Sequence, residues 1–177
     1  MASYLYGIKS IKYGTPIGAA SADAVMPATG DMTQWAQTVQ GSFTLSEDES
    51  TTKEFFVEET TTAVHSVVTD AGQLKATWRA YDMTPTLIAI MKEGTAATAT
   101  GYNTYLGPET VDAVELALEI TTTNDVIIEI YRASCLARFD SVLGRENLLE
   151  MEVTATALTP ENTGASHPPY KISIPTT

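Results

Sequence analysis

A chain of 177 residues with 44% hydrophobic content can bury one core and is too short for two comfortable domains, so residues 1–177 are read as a single domain. Its 22 acidic and 10 basic residues give a formal charge of −12, which argues against tight, adhesive binding to nucleic acid or anionic lipid. The lone cysteine, Cys135, excludes an internal disulfide, and no apolar run approaches the roughly 20 residues that cross a bilayer, so no membrane partner is expected.

Residues 1–7 lack a basic stretch followed by an apolar one; no secretory signal is read there, and synthesis in a cytoplasm is expected. Residues 15–31 are rich in Gly, Pro, Ala and Ser and read as a loop. Val39, Gly41, Phe43 and Leu45 then alternate with Thr38, Gln40, Ser42 and Thr44, the period of two that marks a strand. A second strand is expected over 53–59. The connection between them, with Glu47, Asp48 and Glu49, is polar and acidic, so the pair reads as a hairpin with a solvated tip at 46–51.

Asp70-Ala71-Gly72 supplies a turn before a strand over 74–82, in which Leu74, Ala76, Trp78 and Ala80 oppose Lys75, Thr77, Arg79 and Tyr81. One helix is expected. Thr84 can cap it, Pro85 suits the first helical position, Leu87, Ile88 and Met91 recur at helical spacing, and Gly94 stops it. Residues 95–108 read as a loop.

Three strands follow. Over 111–121, Val114, Leu116, Leu118 and Ile120 oppose Glu115, Ala117, Glu119 and Thr121; over 149–158, Leu149, Met151, Val153, Ala155 and Ala157 oppose Glu150, Glu152, Thr154 and Thr156. Between them, 125–139 is apolar on both faces for part of its length, as a central strand is. A loop over 160–169 leads to a closing strand at 170–174. Threonine clusters such as Thr60-Thr61-Thr62 suit pleated, half-exposed surfaces. The expected fold class is mainly β: an antiparallel β-sandwich or partial barrel of about eight strands with one short flanking α-helix.

No catalytic, cofactor-binding or metal-ligating residue is assigned. There is no phosphate-cradling glycine loop, no Cys and His pattern at metal spacing and no nucleophile elbow. His65 and His167 have no recognisable partner. Glu115 and Glu119 could share a strand face, as a glycosidase or metal site would require, but acids alternating with apolar residues make a wet sheet face. Glu47-Asp48-Glu49 lacks the ligand spacing and glycine of a calcium loop. Cys135, in an apolar strand, reads as a small buried hydrophobe. Trp35 and Trp78 could line a sugar platform, although Trp78 shares its face with Leu74 and Ala80 and reads as core. The chain is therefore expected to be structural and self-assembling and not an enzyme. A carbohydrate-binding or adhesin module and a hydrolase using Glu115 and Glu119 are the competing readings.

The order of these features carries a resemblance: an early hairpin with a charged tip, the strand 74–82, the short helix ending at Gly94, a glycine-containing loop, strands 111–121 and 125–139, then Glu146-Asn147-Leu148-Leu149-Glu150-Met151-Glu152-Val153-Thr154-Ala155-Thr156-Ala157-Leu158, a polar loop and Pro168-Pro169-Tyr170-Lys171-Ile172. Over about residues 38–174 this resembles phage tail tube proteins, the major tail proteins of long-tailed bacteriophages. That family usually shows a double glycine after the helix, where this chain has Lys92-Glu93-Gly94-Thr95. The resemblance implies hexameric rings that stack into a hollow tube, with sheet edges completed by neighbouring copies. It implies tape-measure, tail-terminator and baseplate partners, DNA that passes through without specific binding, and a place in the virion tail. Residues 46–53 become an expected inter-ring contact, and the acidic strand faces become lumen candidates. Tube proteins of related injection and secretion machines share the fold.

Overall fold

A computed structural model describes residues 6–18, 26–110, 112–141, 147–161 and 168–176. Among them lie twelve strands and one α-helix: β1 (Ile8–Gly14), β2 (Thr33–Trp35), β3 (Thr44–Glu47), β4 (Thr51–Phe55), β5 (His65–Asp70), β6 (Leu74–Ala80), α1 (Pro85–Lys92), β7 (Thr95–Ala99), β8 (Tyr102–Leu106), β9 (Val114–Thr122), β10 (Ile127–Phe139), β11 (Met151–Ala157) and β12 (Tyr170–Ser173). With 49% strand, 7% helix and antiparallel sheets, the class is mainly β, as expected.

Eight strands form the main sheet in the order β2-β1-β9-β10-β11-β6-β3, with β12 beside β10. The 13 residues of β10 serve three partners. β9 runs along one edge, while Ile127–Ile130 pair with β12 and Ala133–Phe139 pair with β11 on the other. A bulge between Ile130 and Ala133 separates the two halves and resets the alternation, so that Ile128, Ile130, Ala133 and Cys135 all face the core.

The sheet curls into a partial barrel. Its far ends meet just after β2, where Thr38 bridges Ala80, the Val39 amide donates to the Arg79 carbonyl (2.8 Å) and the Tyr81 amide donates to the Gln37 carbonyl (3.0 Å). This narrow seam brings the Trp35 ring edge-on to Trp78, with centroids 5.4 Å apart, and Tyr13 packs edge-on to Trp35 at 5.6 Å. Such edge-to-face pairs add to the large area each ring removes from water.

The interior follows the period of two. Leu74, Ala76, Trp78 and Ala80 of β6 point inward, as do Met151, Val153, Ala155 and Ala157 of β11 and Leu116, Leu118 and Ile120 of β9. Small residues opposite one another, such as Ala76 and Ala155 in register, leave room for Trp78, which is fully buried. Leu87 and Met91 of α1 complete this core, and the helix also packs against the β7–β8 hairpin.

Several expectations are corrected. Residues 46–51 are no hairpin tip: β3 pairs with β6, β4 pairs with β5, and 48–50 only link them. Of the strand expected over 38–45 only Thr44 and Leu45 lie in a strand, as the start of β3; residues 39–43 turn instead, because Gly41 adopts φ 76° and the Ser42 hydroxyl replaces the ladder, donating to the Val39 carbonyl (2.8 Å) and accepting from the Arg79 amide (3.0 Å). The second strand stops at Phe55. Residues 95–108 are mostly a hairpin, turned at Thr100-Gly101 where Gly101 has φ 83°. β1, β2 and β5 were not anticipated. Thr84 takes the N-cap position without a side-chain bond; Asp82 accepts from the Thr84 amide instead (3.1 Å). The helix ends at Lys92, and Glu93, not Gly94, takes the left-handed conformation that stops it (φ 47°); Gly94 follows in a tight place, since a Cβ there would sit 2.6 Å from the Leu106 carbonyl oxygen and against the Tyr105 ring. The expected strands over 111–121 and 149–158 begin at Val114 and Met151, while Val111 and the middle of the 160–169 loop lie outside the described residues.

Candidate assembly surfaces

The side chains that might have carried chemistry are held in structural roles or left apart. Glu115 accepts two hydrogen bonds from the Arg132 guanidinium (2.7 and 2.6 Å), which holds its carboxyl below the usual carboxylate range. Glu119 is bound instead to Lys12 at 2.6 Å. The two carboxylates thus face separate cations and do not converge on a shared site. His65 lies exposed in β5 with its ring 6.2 Å from Phe55, and His167 lies outside the described residues. Burial pushes the Cys135 thiol up to about 12, so it packs as an apolar group. Asp48 pairs with Lys75 at 2.6 Å beside the root of β4. Trp35 and Trp78 are core, so neither offers a sugar platform. Among the described residues, no three His, Cys, Asp or Glu side chains gather to hold a metal, and no helix is long and apolar enough to cross a membrane.

The acidic strand face proves to be ionically balanced. In register across β1, β9, β10 and β12 stand Lys12, Glu119, Glu129 and Lys171, with Glu129 paired to Lys171 at 3.1 Å. A second row places Glu152 of β11 between Arg79 of β6 (3.2 Å) and Arg138 of β10 (2.6 Å), and Asp140 adds a bond to Arg79 (3.0 Å). Cross-strand pairs of this kind lock register more than they add stability.

Two other features are unusual. The first is the arm formed by β4 and β5, a two-stranded sheet of its own that projects from the main sheet between β3 and β6. Every residue of β4 is exposed, and so is each large apolar side chain near the tip: Phe55, Phe56 (60%), Val57, Val64, Val67 and Val68 (58%). The register puts Phe55 and Val67 on one face and Val68 on the other, so neither face of the arm is polar throughout. Lys53 lies over the Phe55 ring at 5.4 Å, while Glu54, Glu58 and Glu59 make the arm acidic. A lone two-stranded hairpin is marginally stable in water, and clustered apolar exposure of this kind marks contact surfaces. Local pattern misses this because Phe55-Phe56-Val57 looks like any strand core; the absence of a covering layer among the described residues reveals it.

The second is an open cavity of about 1030 Å³ at the mouth of the partial barrel. Ile8, Trp35, Phe43, Leu45 and Ile128 give it an apolar lining, and Lys9 is the one charged residue among the described residues around it. Near these features the sheet has free borders. β3 pairs only through β6 and β12 only through β10 among the described residues, leaving an unpaired edge on each. No protein-family model matches the sequence, and no curated protein gives a significant match.

Proposed function

We propose that this chain is the structural subunit of a phage tail tube, built to form rings, hexameric by the resemblance, that stack around a DNA-conducting bore. The observation that carries this reading is the arm, whose apolar faces have no partner among the described residues. The free borders of β3 and β12 support it, since an unpaired strand edge is a template for another chain and ring closure satisfies it without runaway aggregation. The formal charge of −12 supports the conduit: a subunit of net negative charge does not hold phosphate adhesively and lets DNA slide. On this reading the subunit is made in the host cytoplasm and ends in the virion tail, beside a tape-measure protein and between terminator and baseplate.

Electron microscopy and light scattering of the purified full-length protein over a rising concentration series test the proposal. Rings with a central hole, or tubes, are expected. A strictly monomeric particle at every concentration and salt condition overturns it.

A further inference from the structure

We infer that the arm is aimed from within one copy: a collar at its root, with Gly72 as the locking residue, fixes the angle at which the arm leaves the barrel. The inference concerns a single chain and does not rest on the tube-subunit reading.

The ladders alone would make a hinge here. β3 and β6 pair as far as Glu47 opposite Leu74, and β4 and β5 pair from Thr51 opposite Asp70. Between these pairs, 48–50 on one side and 71–73 on the other are links that lie outside any strand. A hairpin carried on two such links is free to swing, because no ladder fixes their dihedrals. In this chain the links are tied to each other. The Asp48 amide donates to the Gln73 carbonyl (3.1 Å), and the Gly72 amide donates to the Ser50 hydroxyl oxygen (3.3 Å). On the arm side the Thr51 and Thr69 hydroxyls meet at 3.1 Å, and on the barrel side Lys75 pairs with Asp48 at 2.6 Å.

Of these ties the ion pair is the weak one. Its side chains are 38% and 52% exposed, so water and salt screen it. Gly72 does more. It lies so close to Asp48 that a Cβ there would run into the Asp48 carbonyl group, which is backbone and has no rotamer to move aside. A swing that brings the two links together is therefore blocked by contact. A swing that parts them breaks the bonds from the Asp48 and Gly72 amides. An arm held in this way loses little conformational freedom when its apolar side chains are covered.

Pulsed electron paramagnetic resonance on dilute full-length protein tests the inference, with spin labels at Ser66→Cys on the arm and Leu136→Cys on the barrel. Both sites are exposed and Cys135 is buried, so the introduced thiols take the label. The distance reports where the arm points, not how often single ladder bonds open. One narrow distance is expected, and a broad spread overturns the inference. Adding Gly72→Ala is expected to shift or broaden that distance while the near-ultraviolet signal of Trp35 and Trp78 stays; an unchanged distance overturns the role of Gly72. Adding Lys75→Ala, which removes only the exposed ion pair, is expected to keep the narrow distance, and a spread as wide as that of Gly72→Ala overturns the same role. If Gly72→Ala costs the barrel its tryptophan signal, Ser50→Ala decides in its place: a broader distance is expected, and an unchanged one overturns the collar. Failure here is separable from failure of the tube reading, since protein that forms tubes with a freely swinging arm sinks only the collar, and protein that never assembles with a narrowly aimed arm sinks only the tube.

Discussion

Strands β4 and β6 lie close in sequence and draw on similar residues, yet their fates differ. β6 buries every second side chain between β11 and β3, and Trp78 at its centre is fully buried. Among the described residues β4 has only β5 beside it, and every residue of β4 is exposed. Alternation in the sequence prepares a strand to have an inside, but a second layer is needed to make one. The barrel carries its second layer across its own interior. The arm has none among the described residues, so its apolar side chains stand exposed.

The largest expected effect separates the two regions directly. Trp78→Ala should cost about 3–5 kcal/mol in urea or thermal denaturation, the range for deleting a large buried ring. An effect no larger than that of a surface substitution would break the contrast. Next comes Gly94→Ala, where the added methyl meets the Leu106 carbonyl and the Tyr105 ring and should destabilise the helix-to-hairpin junction by about 1–3 kcal/mol.

Smaller effects sharpen the same contrast. Glu115→Gln removes the charge that Arg132 grips in the outer face, a half-exposed pair worth under about 1 kcal/mol. Because Arg132 lowers the Glu115 pKa, that contribution is present above the ordinary carboxylate range and is lost as the pH falls through the depressed pKa; the variant and the parent should converge in acid melts. The smallest effect on monomer stability belongs to the arm. Phe56→Ala should shift the monomer by no more than about 0.5 kcal/mol, because no interior contact is lost. Hydrogen exchange gives the matching readout: arm amides should exchange rapidly in dilute monomer, and those of β6, β9 and β10 slowly.

What local pattern reveals here is the part whose partners lie in regular succession. Strands β6, β9, β10 and β11 announce themselves because each alternates cleanly and each is buried on one face at least. β2, with three residues, is too short to show a period, and its identity depends on β1 and on the seam at Thr38. In β1, the irregular pairing between Ile8 and Ser10 blurs the alternation that Ile11 and Tyr13 carry. Residues 39–43 show the opposite failure: the alternation is real, and a glycine turn with a serine bonding to backbone overrides it until Thr44 opens β3. The candidate surfaces were hardest to read. Glu115 and Glu119 attract attention as a pair, yet Arg132 and Lys12 come from other strands and separate their roles. The exposure of Phe55 and Phe56 depends on which strands fail to cover them, which no window of sequence contains.

The pairing of β1 with β9 also sets a timetable for synthesis. Early in synthesis Ile11 and Tyr13 have only the short ladder with β2; their other edge must wait for Ile120 and Leu118, and the cavity wall needs Thr122, Thr123 and Ile128 from that same late stretch. The arm, by contrast, is a local hairpin that can close as soon as residue 70 has left the ribosome. Each nascent chain therefore exposes its apolar arm long before the strands that close the barrel interior have been made.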